Sequence, residues 1–275
     1  MKYSKLVIVI LLSVVSIFLT YQIFQTSSPE FFRSPPPRTV ISFTTSPSRI
    51  NNIEPTIKSL TQSQTVKADA AYLNLPERFG RTGESYTIPD FLNNYSITIN
   101  RCEVDYGPIT KLVPTLEKEK DPNTRIIILD DDIEYDSELV ERFHKYTSIY
   151  PNAVLSNMCD KWNWVKSDIP DPYCELVEGW GGIFFRRDMF KSDFMDYVNR
   201  IVMSGKSCFG GDDLVISNYL AKHNVPRVRL NKQPTILQLG LGADALHVID
   251  TNESDRYDKC KKYIAEKDGK YSLPN

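Results

Sequence analysis

Ile126-Ile127-Ile128-Leu129-Asp130-Asp131-Asp132 is the stretch on which the fold turns. Four consecutive branched aliphatic residues read as a β-strand. An unbroken apolar run, rather than an alternating one, fits a strand buried on both faces of a parallel sheet. This strand runs straight into three carboxylates, which repel one another. Holding them at the mouth of a hydrophobic strand is costly unless a cation sits there. If the chain stays extended, Asp130 and Asp132 point to the same side, because the side-chain period is two. A hard divalent ion with oxygen ligands fits that pair. The competing reading is a solvated acidic turn, or an N-cap for the helix after Asp136.

The flanking segments continue the same pattern outward. Thr39-Val40-Ile41-Ser42-Phe43 is β-branched and aromatic and predicts a strand. A polar turn, Thr44 to Arg49, leads into a helix with Ile50, Ile53, Ile57 and Leu60 at helical spacing. Ala70 to Leu75 and Ile97 to Cys102 predict two further strands, separated by a polar loop over 77–96. Gly107-Pro108 opens a helix bearing Ile109, Leu112, Val113 and Leu116, which Pro114 should kink or shorten. After the Asp triplet come a helix with Leu139, Val140 and Phe143, strands at Ala153–Met158 and Gly182–Phe185, and a helix over Leu214–Leu220. Strands alternating with helices predict an α/β fold: one domain with a mostly parallel, doubly wound central sheet flanked by helices. In such sheets ligands bind beyond the carboxyl ends of the strands.

The chain has 275 residues, 41% hydrophobic and 25% charged, which are ordinary globular proportions. Its 33 Lys and Arg residues against 35 Asp and Glu give a formal net charge of −2, which offers no broad footprint for nucleic acid. Five cysteines with no C-x-x-C pair exclude a disulfide scaffold and argue against structural zinc. Cys102, Cys159, Cys174, Cys208 and Cys260 allow at most two disulfides; Cys159 and Cys174, which bracket a Trp-rich loop, are the expected pair.

Residues Leu6 to Phe24 carry no charge, and Lys2 and Lys5 precede them. A helix of that length spans a bilayer core of about 30 Å. The positive flank keeps the N-terminus cytosolic. The resulting organisation is a cytosolic 1–5, a signal anchor at 6–24, a Pro- and Ser-rich stem at 25–38, a globular domain at 39–250 and a polar tail at 251–275 that adds little to the site. A cleaved signal peptide, and hence secretion, is the competing reading; the long apolar run and the lack of an A-x-A-type site weigh against it. Two N-x-S sequons, at Asn94 and Asn252, are glycosylation acceptors if the domain is lumenal.

Three metal chemistries use carboxylates in this way. An EF-hand starting at Asp130 requires Gly where Tyr135 stands, and a helix where a strand stands. A haloacid-type phosphatase carries Asp-x-Asp-x-Thr near its domain start; here Glu134 replaces the Thr, well inside the domain. In the third, the strand ending in Asp130-Asp131-Asp132 resembles the DXD motif of GT-A-fold nucleotide-sugar glycosyltransferases, and is similar to family-two-like and exostosin-like members.

That resemblance spans roughly Thr39 to His247 and implies a site. Asp130 and Asp132 would hold Mn²⁺ (or Mg²⁺) against the donor diphosphate, with His247 as a further ligand; Asp130 would alternatively contact the ribose, and Asp130 and Asp131 would help bind the nucleotide sugar. Thr44, Thr45 and Arg49, in the turn after the first strand, would meet the nucleotide; the same turn offers Ser46 or Ser48 as a helix cap. Lys111 would reach the diphosphate, unless it is an ordinary surface lysine. Trp180, with Gly181 and Gly182 beside it, would face the acceptor. Asp213 and Asp212, opening a helix, match the carboxylate pair that supplies the base in inverting enzymes. In a retaining enzyme they would stabilise the oxocarbenium-like state. The other histidines, His144 and His223, read as surface residues. The resemblance thus implies a type II membrane glycosyltransferase with a lumenal Golgi or ER domain, a nucleotide-sugar donor and a glycan or glycoprotein acceptor. A non-catalytic sugar- or metal-binding module of the same fold is the alternative.

Overall fold

The computed structural model describes Ser13, Val15 to Ile17 and residues 36–160, 170–230, 236–239 and 253–270. Met1–Pro37 and Arg38–Asn275 are separate compact units, and every strand among the described residues lies within the second. The anchor expected at 6–24 falls almost wholly outside the described residues. Among those residues no helix is long and apolar enough to cross a membrane.

The strands, in chain order, are β1 (Thr39–Thr44), β2 (Ala70–Pro76), β3 (Thr98–Cys102), β4 (Arg125–Ile128), β5 (Ile133–Tyr135), β6 (Val154–Ser156), β7 (Cys159–Asp160), β8 (Leu176–Val177), β9 (Ile183–Arg186), β10 (Arg227–Arg229) and β11 (Ile236–Gln238). The α-helices are α1 (Glu54–Thr61), α2 (Val113–Lys118), α3 (Leu139–Thr147), α4 (Phe194–Val198), α5 (Asp212–Lys222) and α6 (Glu253–Lys267).

Seven strands form the central sheet in the order β10-β6-β9-β4-β1-β2-β3. All neighbours are parallel except those of β9, which runs antiparallel to both β4 and β6. The mixed α/β architecture with a mostly parallel sheet is thus as expected; the reversed β9 is not, since a single strand's composition does not encode its direction. Two small antiparallel pairs, β5 with β11 and β7 with β8, stand outside the sheet.

The run Ile126–Leu129 behaves as its composition dictates. All four residues are fully buried, and alternate ones enter opposite cores. Ile126 and Ile128 pack with Val40, Phe185 and the apolar faces of α2, α4 and α5. Ile127 and Leu129 pack with Ile41, Phe43, Phe184 and the faces of α1 and α3. Each buried aliphatic side chain contributes roughly 1.5–3 kcal/mol, so this strand is a principal joint between the two cores.

Several local expectations are corrected. The helix expected from Ile50 breaks at Ile53 into a 3₁₀ turn and α1, and neither start carries a side-chain cap from Ser46 or Ser48. The Ser46 carbonyl accepts from the amides of Arg49 and Ile50 instead. The helix after Gly107 also splits, into a 3₁₀ turn over Gly107–Lys111 and α2, with Pro114 in the first turn of α2, as its ring requires. His144 is not a surface residue: it is half-buried, its Nε2 is 2.9 Å from the Thr39 hydroxyl, and burial lowers its pKa. His223 lies tilted against the Tyr219 ring, centroids 4.4 Å apart, with Nε2 3.3 Å from the Asp193 carboxylate.

The polar stretch after Asp250 is not an idle tail. Its residues 253–267 form α6, whose Cys260 and Ile264 are fully buried. Cys208–Cys260 is one disulfide; Cys159–Cys174, the expected pair, is the other, and Cys102 is a free thiol. Asn94 lies exposed at the end of a 3₁₀ turn, while Asn252 is outside the described residues.

Candidate active site

Chain order reverses between β1 and β4: β2 lies on one side of β1, and β4 is parallel to it on the other. At such a switch point the loops leaving the two carboxyl ends diverge and open a crevice. Here the crevice is a cavity of about 850 Å³, within the range of small-ligand sites.

The Asp triplet forms its floor, held by the turn after β1. Asp131 is buried, accepting from the Thr45 hydroxyl at 2.5 Å and from the Arg49 guanidinium. Arg49 also reaches Asp132 at 2.9 Å. The Thr56 hydroxyl donates to the Asp131 carbonyl, and the Asp130 amide donates to the Tyr135 hydroxyl. Burial pushes the Asp131 carboxyl up to about 6, against the pull of Arg49 and Thr45. Burial also raises Asp132, again opposed by Arg49.

Lys111 is 4% exposed, so the surface-lysine reading fails. Its ammonium lies 2.5 Å from Asp130 and 2.9 Å from Asp212, joining the β4 turn to the start of α5. Burial works against its charge, but Asp130, Asp212 and Asp213 outweigh that cost and hold its pKa well above the ordinary lysine value. A buried polar web anchors its backbone: the Lys111 carbonyl accepts from Ser42, which is also bonded to Thr115 and Asn74.

Asp213 accepts the Gly179 amide at 2.9 Å. Burial, then repulsion from Asp212, raises its pKa well above the usual carboxylate value. A Cβ on Gly179 would come 2.7 Å from the Lys111 ammonium and 3.4 Å from Asp213, so a larger residue there would push Lys111 off its carboxylates. Trp180 is 38% exposed at the rim, with its indole N–H donating to Glu178 at 2.6 Å.

The structure therefore gathers Thr44, Thr45, Arg49, Lys111, Asp130, Asp131, Asp132, Trp180, Asp212 and Asp213 around one cavity. Thr44 spends its hydroxyl on the Asn74 carbonyl. Gly181 and Gly182 do not line the cavity: a Cβ on Gly181 would collide with Met158 at 2.3 Å, and Gly182 has φ +87°. His247 lies outside the described residues.

Sequence reasoning missed two groups. Phe79 and Tyr86, from the loop over 77–96, meet edge to face at 6.5 Å and line one end, with Arg81 over Phe79. The sequence carried no distinguishing signal, since Phe91 and Tyr95 share that loop and do not line the cavity. Arg256 and Tyr257, from α6, line another part. The spacing Tyr257-Cys260-Ile264, one apolar stripe on a helix, would have revealed its docking.

Among the described lining residues, eight carboxylate side chains face four cationic ones. Such an excess favours a cation. No three His, Cys, Asp or Glu side chains among the described residues converge as a ready cage. Asp130 and Asp132 nonetheless suit a hard ion that takes one or two carboxylates from the protein and its other oxygens from phosphate and water.

No protein-family model matches the chain, and no curated protein matches it by sequence. Among solved structures, the crystal structure of Staphylococcus aureus TarS 1-349 is similar at 12% identity and TM-score 0.49, covering 84% of this chain and 66% of that one. The same segment in complex with UDP-GlcNAc is 13% identical, with TM-score 0.49 and coverages of 84% and 67%. The longer S. aureus TarS structure is 12% identical, with TM-score 0.47, and the chain spans 42% of its length.

Proposed function

We propose that this protein is a metal-dependent glycosyltransferase of the GT-A type, moving a sugar from a nucleoside-diphosphate sugar to a hydroxyl of a glycan or glycoprotein. One observation carries the reading. A strand-end carboxylate triplet and a half-buried carboxylate with a raised pKa, Asp213, share one cavity at the switch point of a mostly parallel sheet. The first suits the diphosphate end of a donor, the second the acceptor hydroxyl.

Asp130 and Asp132 would hold Mn²⁺ or Mg²⁺, which when bound supplies charge neutralisation on the departing diphosphate. Lys111 keeps Asp130 and Asp212 in register. Asp213 takes the acceptor proton: desolvation raises its basicity toward the working pH, and the Gly179 amide fixes its direction. Trp180 offers an apolar ring face to a sugar at the rim. Two disulfides belong to an oxidising compartment and support a lumenal domain behind an N-terminal anchor.

The test is thermal stability of the purified full-length protein with Mn²⁺ and a panel of nucleotide sugars, including UDP-GlcNAc. A ligand of the folded state raises stability by RT ln(1 + [L]/Kd). A metal-dependent shift with one donor, lost in Asp130→Asn/Asp132→Asn, is expected. Binding without turnover on any acceptor would leave a sugar-binding module, and cleavage of simple phosphomonoesters would favour the phosphatase.

A further inference from the structure

Helix α3 turns a charged residue into the core. Its inward stripe holds Leu139, Val140, Arg142 and Phe143, and Arg142 is only 6% exposed. A buried guanidinium persists only where its charge and its donors are met. The Arg142 fork donates to both oxygens of Asp136, at 3.1 and 2.5 Å, and its Nε donates to the Asn157 side-chain oxygen at 3.2 Å. Asn157, buried just beyond β6, passes the contact on: its Nδ2 donates to the Gly181 carbonyl at 2.8 Å. With its oxygen on a donor and its nitrogen on an acceptor, the amide has a single orientation.

None of Asp136, Arg142, Asn157 and Gly181 lines the cavity, yet each end of this relay meets the site. Asp136 follows β5, whose last residue, Tyr135, takes the Asp130 amide on its hydroxyl at 2.9 Å. Gly181 ends the 3₁₀ turn Gly179–Gly181. That turn aims the Gly179 amide at Asp213 and carries Trp180 at the rim. Its flanks are tied to the end of β6: the Glu178 amide donates to the Met158 carbonyl at 2.9 Å, and the Gly182 carbonyl accepts from the Ser156 hydroxyl at 3.2 Å. Asn157 adds a side-chain grip on the turn itself.

A misplacement of about 1 Å, set by a residue far from the chemistry, costs a reaction as much as about 100-fold. In the transfer step Asp213 takes the hydroxyl proton as that oxygen bonds the anomeric carbon and the diphosphate leaves with the electron pair. We propose, resting on the glycosyltransferase reading above, that Asn157, oriented by Arg142, is a positioning residue for this step: it sets the Gly179–Gly181 turn so that the Gly179 amide directs Asp213 at the acceptor hydroxyl.

The experiment compares the full-length protein with Asn157→Ala and Asn157→Asp. The first removes both bonds of the amide. The second keeps an acceptor for Arg142 and withdraws only the donor to Gly181, so it carries the test if the alanine variant does not fold. Three quantities are read below all the melting transitions. They are hydrogen exchange of the 178–182 amides without ligand, Kd for UDP and GDP with Mn²⁺, and kcat for hydrolysis of UDP-GlcNAc, UDP-glucose, UDP-galactose and GDP-mannose, with water in place of the acceptor. Both variants should exchange faster over 178–182 and lose on the order of 10- to 100-fold in kcat, with nucleotide binding at the wild-type level. Wild-type exchange over 178–182 in both variants overturns the relay, whatever the substrate. Faster exchange with a wild-type kcat overturns the positioning role and leaves the donor reading intact. A fall in nucleotide binding as steep as the fall in kcat does the same, since it marks a general structural role. A wild type that hydrolyses none of the four sugars overturns this proposal; if it also binds neither diphosphate, the donor reading falls with it.

Discussion

Two walls of the cavity are built on opposite principles. The wall at the carboxyl ends of β1 and β4 is locked by charge: Arg49 and Lys111 each bridge two carboxylates brought together from distant parts of the chain. The wall formed by α6 is locked by a disulfide across 52 residues and by shape, with the Tyr263 ring seated at Gly205. The first should respond to protons, salt and metal. The second should respond chiefly to reductant, with protons and salt acting only through the ion pairs of Asp268 with Arg200 and Lys222.

Substitutions can break or sharpen that contrast. Asp213→Asn keeps an acceptor for the Gly179 amide but removes the base; turnover should fall on the order of 10²- to 10⁴-fold with the melting temperature nearly unchanged. An equal loss of stability would mean that the carboxylate is structural. Arg49→Ala strands Asp131 and Asp132 beneath the surface and should cost about 3–5 kcal/mol in urea unfolding, the penalty for breaking a buried pair. A cost below about 1 kcal/mol, the worth of an exposed pair, would show that the wall is not charge-locked. Removing Cys208–Cys260 should cost about 2–4 kcal/mol, with little dependence on salt.

Acid separates the walls further. The Asp131 carboxyl is raised to about 6 in the fold against 3.8 when free, so the folded state takes up the proton first. Its contribution therefore grows as pH falls from about 6 toward 4, by at most about 1.4 kcal/mol per pH unit. In metal-free buffer, wild type should gain stability over that window relative to Asp131→Asn; parallel curves would refute the assignment. The smallest effect is at the rim. Trp180→Ala should change stability by no more than about 0.5 kcal/mol, as for other surface positions, while weakening acceptor use.

The strand-end wall was legible because its residues announce themselves locally. An unbroken Ile126–Leu129 run can be buried only between two layers, and three carboxylates at its end demand an explanation. Lys111 was half-legible: its position after Gly107-Pro108 placed it near the site, but its burial depends on Asp130 and Asp212 arriving from elsewhere. The α6 wall was overlooked because the charge of 251–275 outweighs its short apolar stripe, Tyr257-Cys260-Ile264, and because Cys208, the partner that helps hold that face inward, lies 52 residues away. The direction of β9 was hidden for a similar reason, since pairing partners rather than composition set it.

That reversed strand has a consequence for how the chain assembles. The β6–β10 pair joins the β1–β4 half of the sheet through β9 alone. On a ribosome adding about 5–20 residues per second, β1 to β4 can associate as soon as Ile128 has emerged. Strand β6 emerges next and has no neighbour until Ile183–Arg186 arrives. For that interval the nascent chain carries an open edge on each side of a missing seam, the condition under which strands pair with the wrong molecule. A translational pause that leaves β6 outside the ribosome and β9 still inside it should lower the yield of folded protein more than the same pause once β9 has emerged.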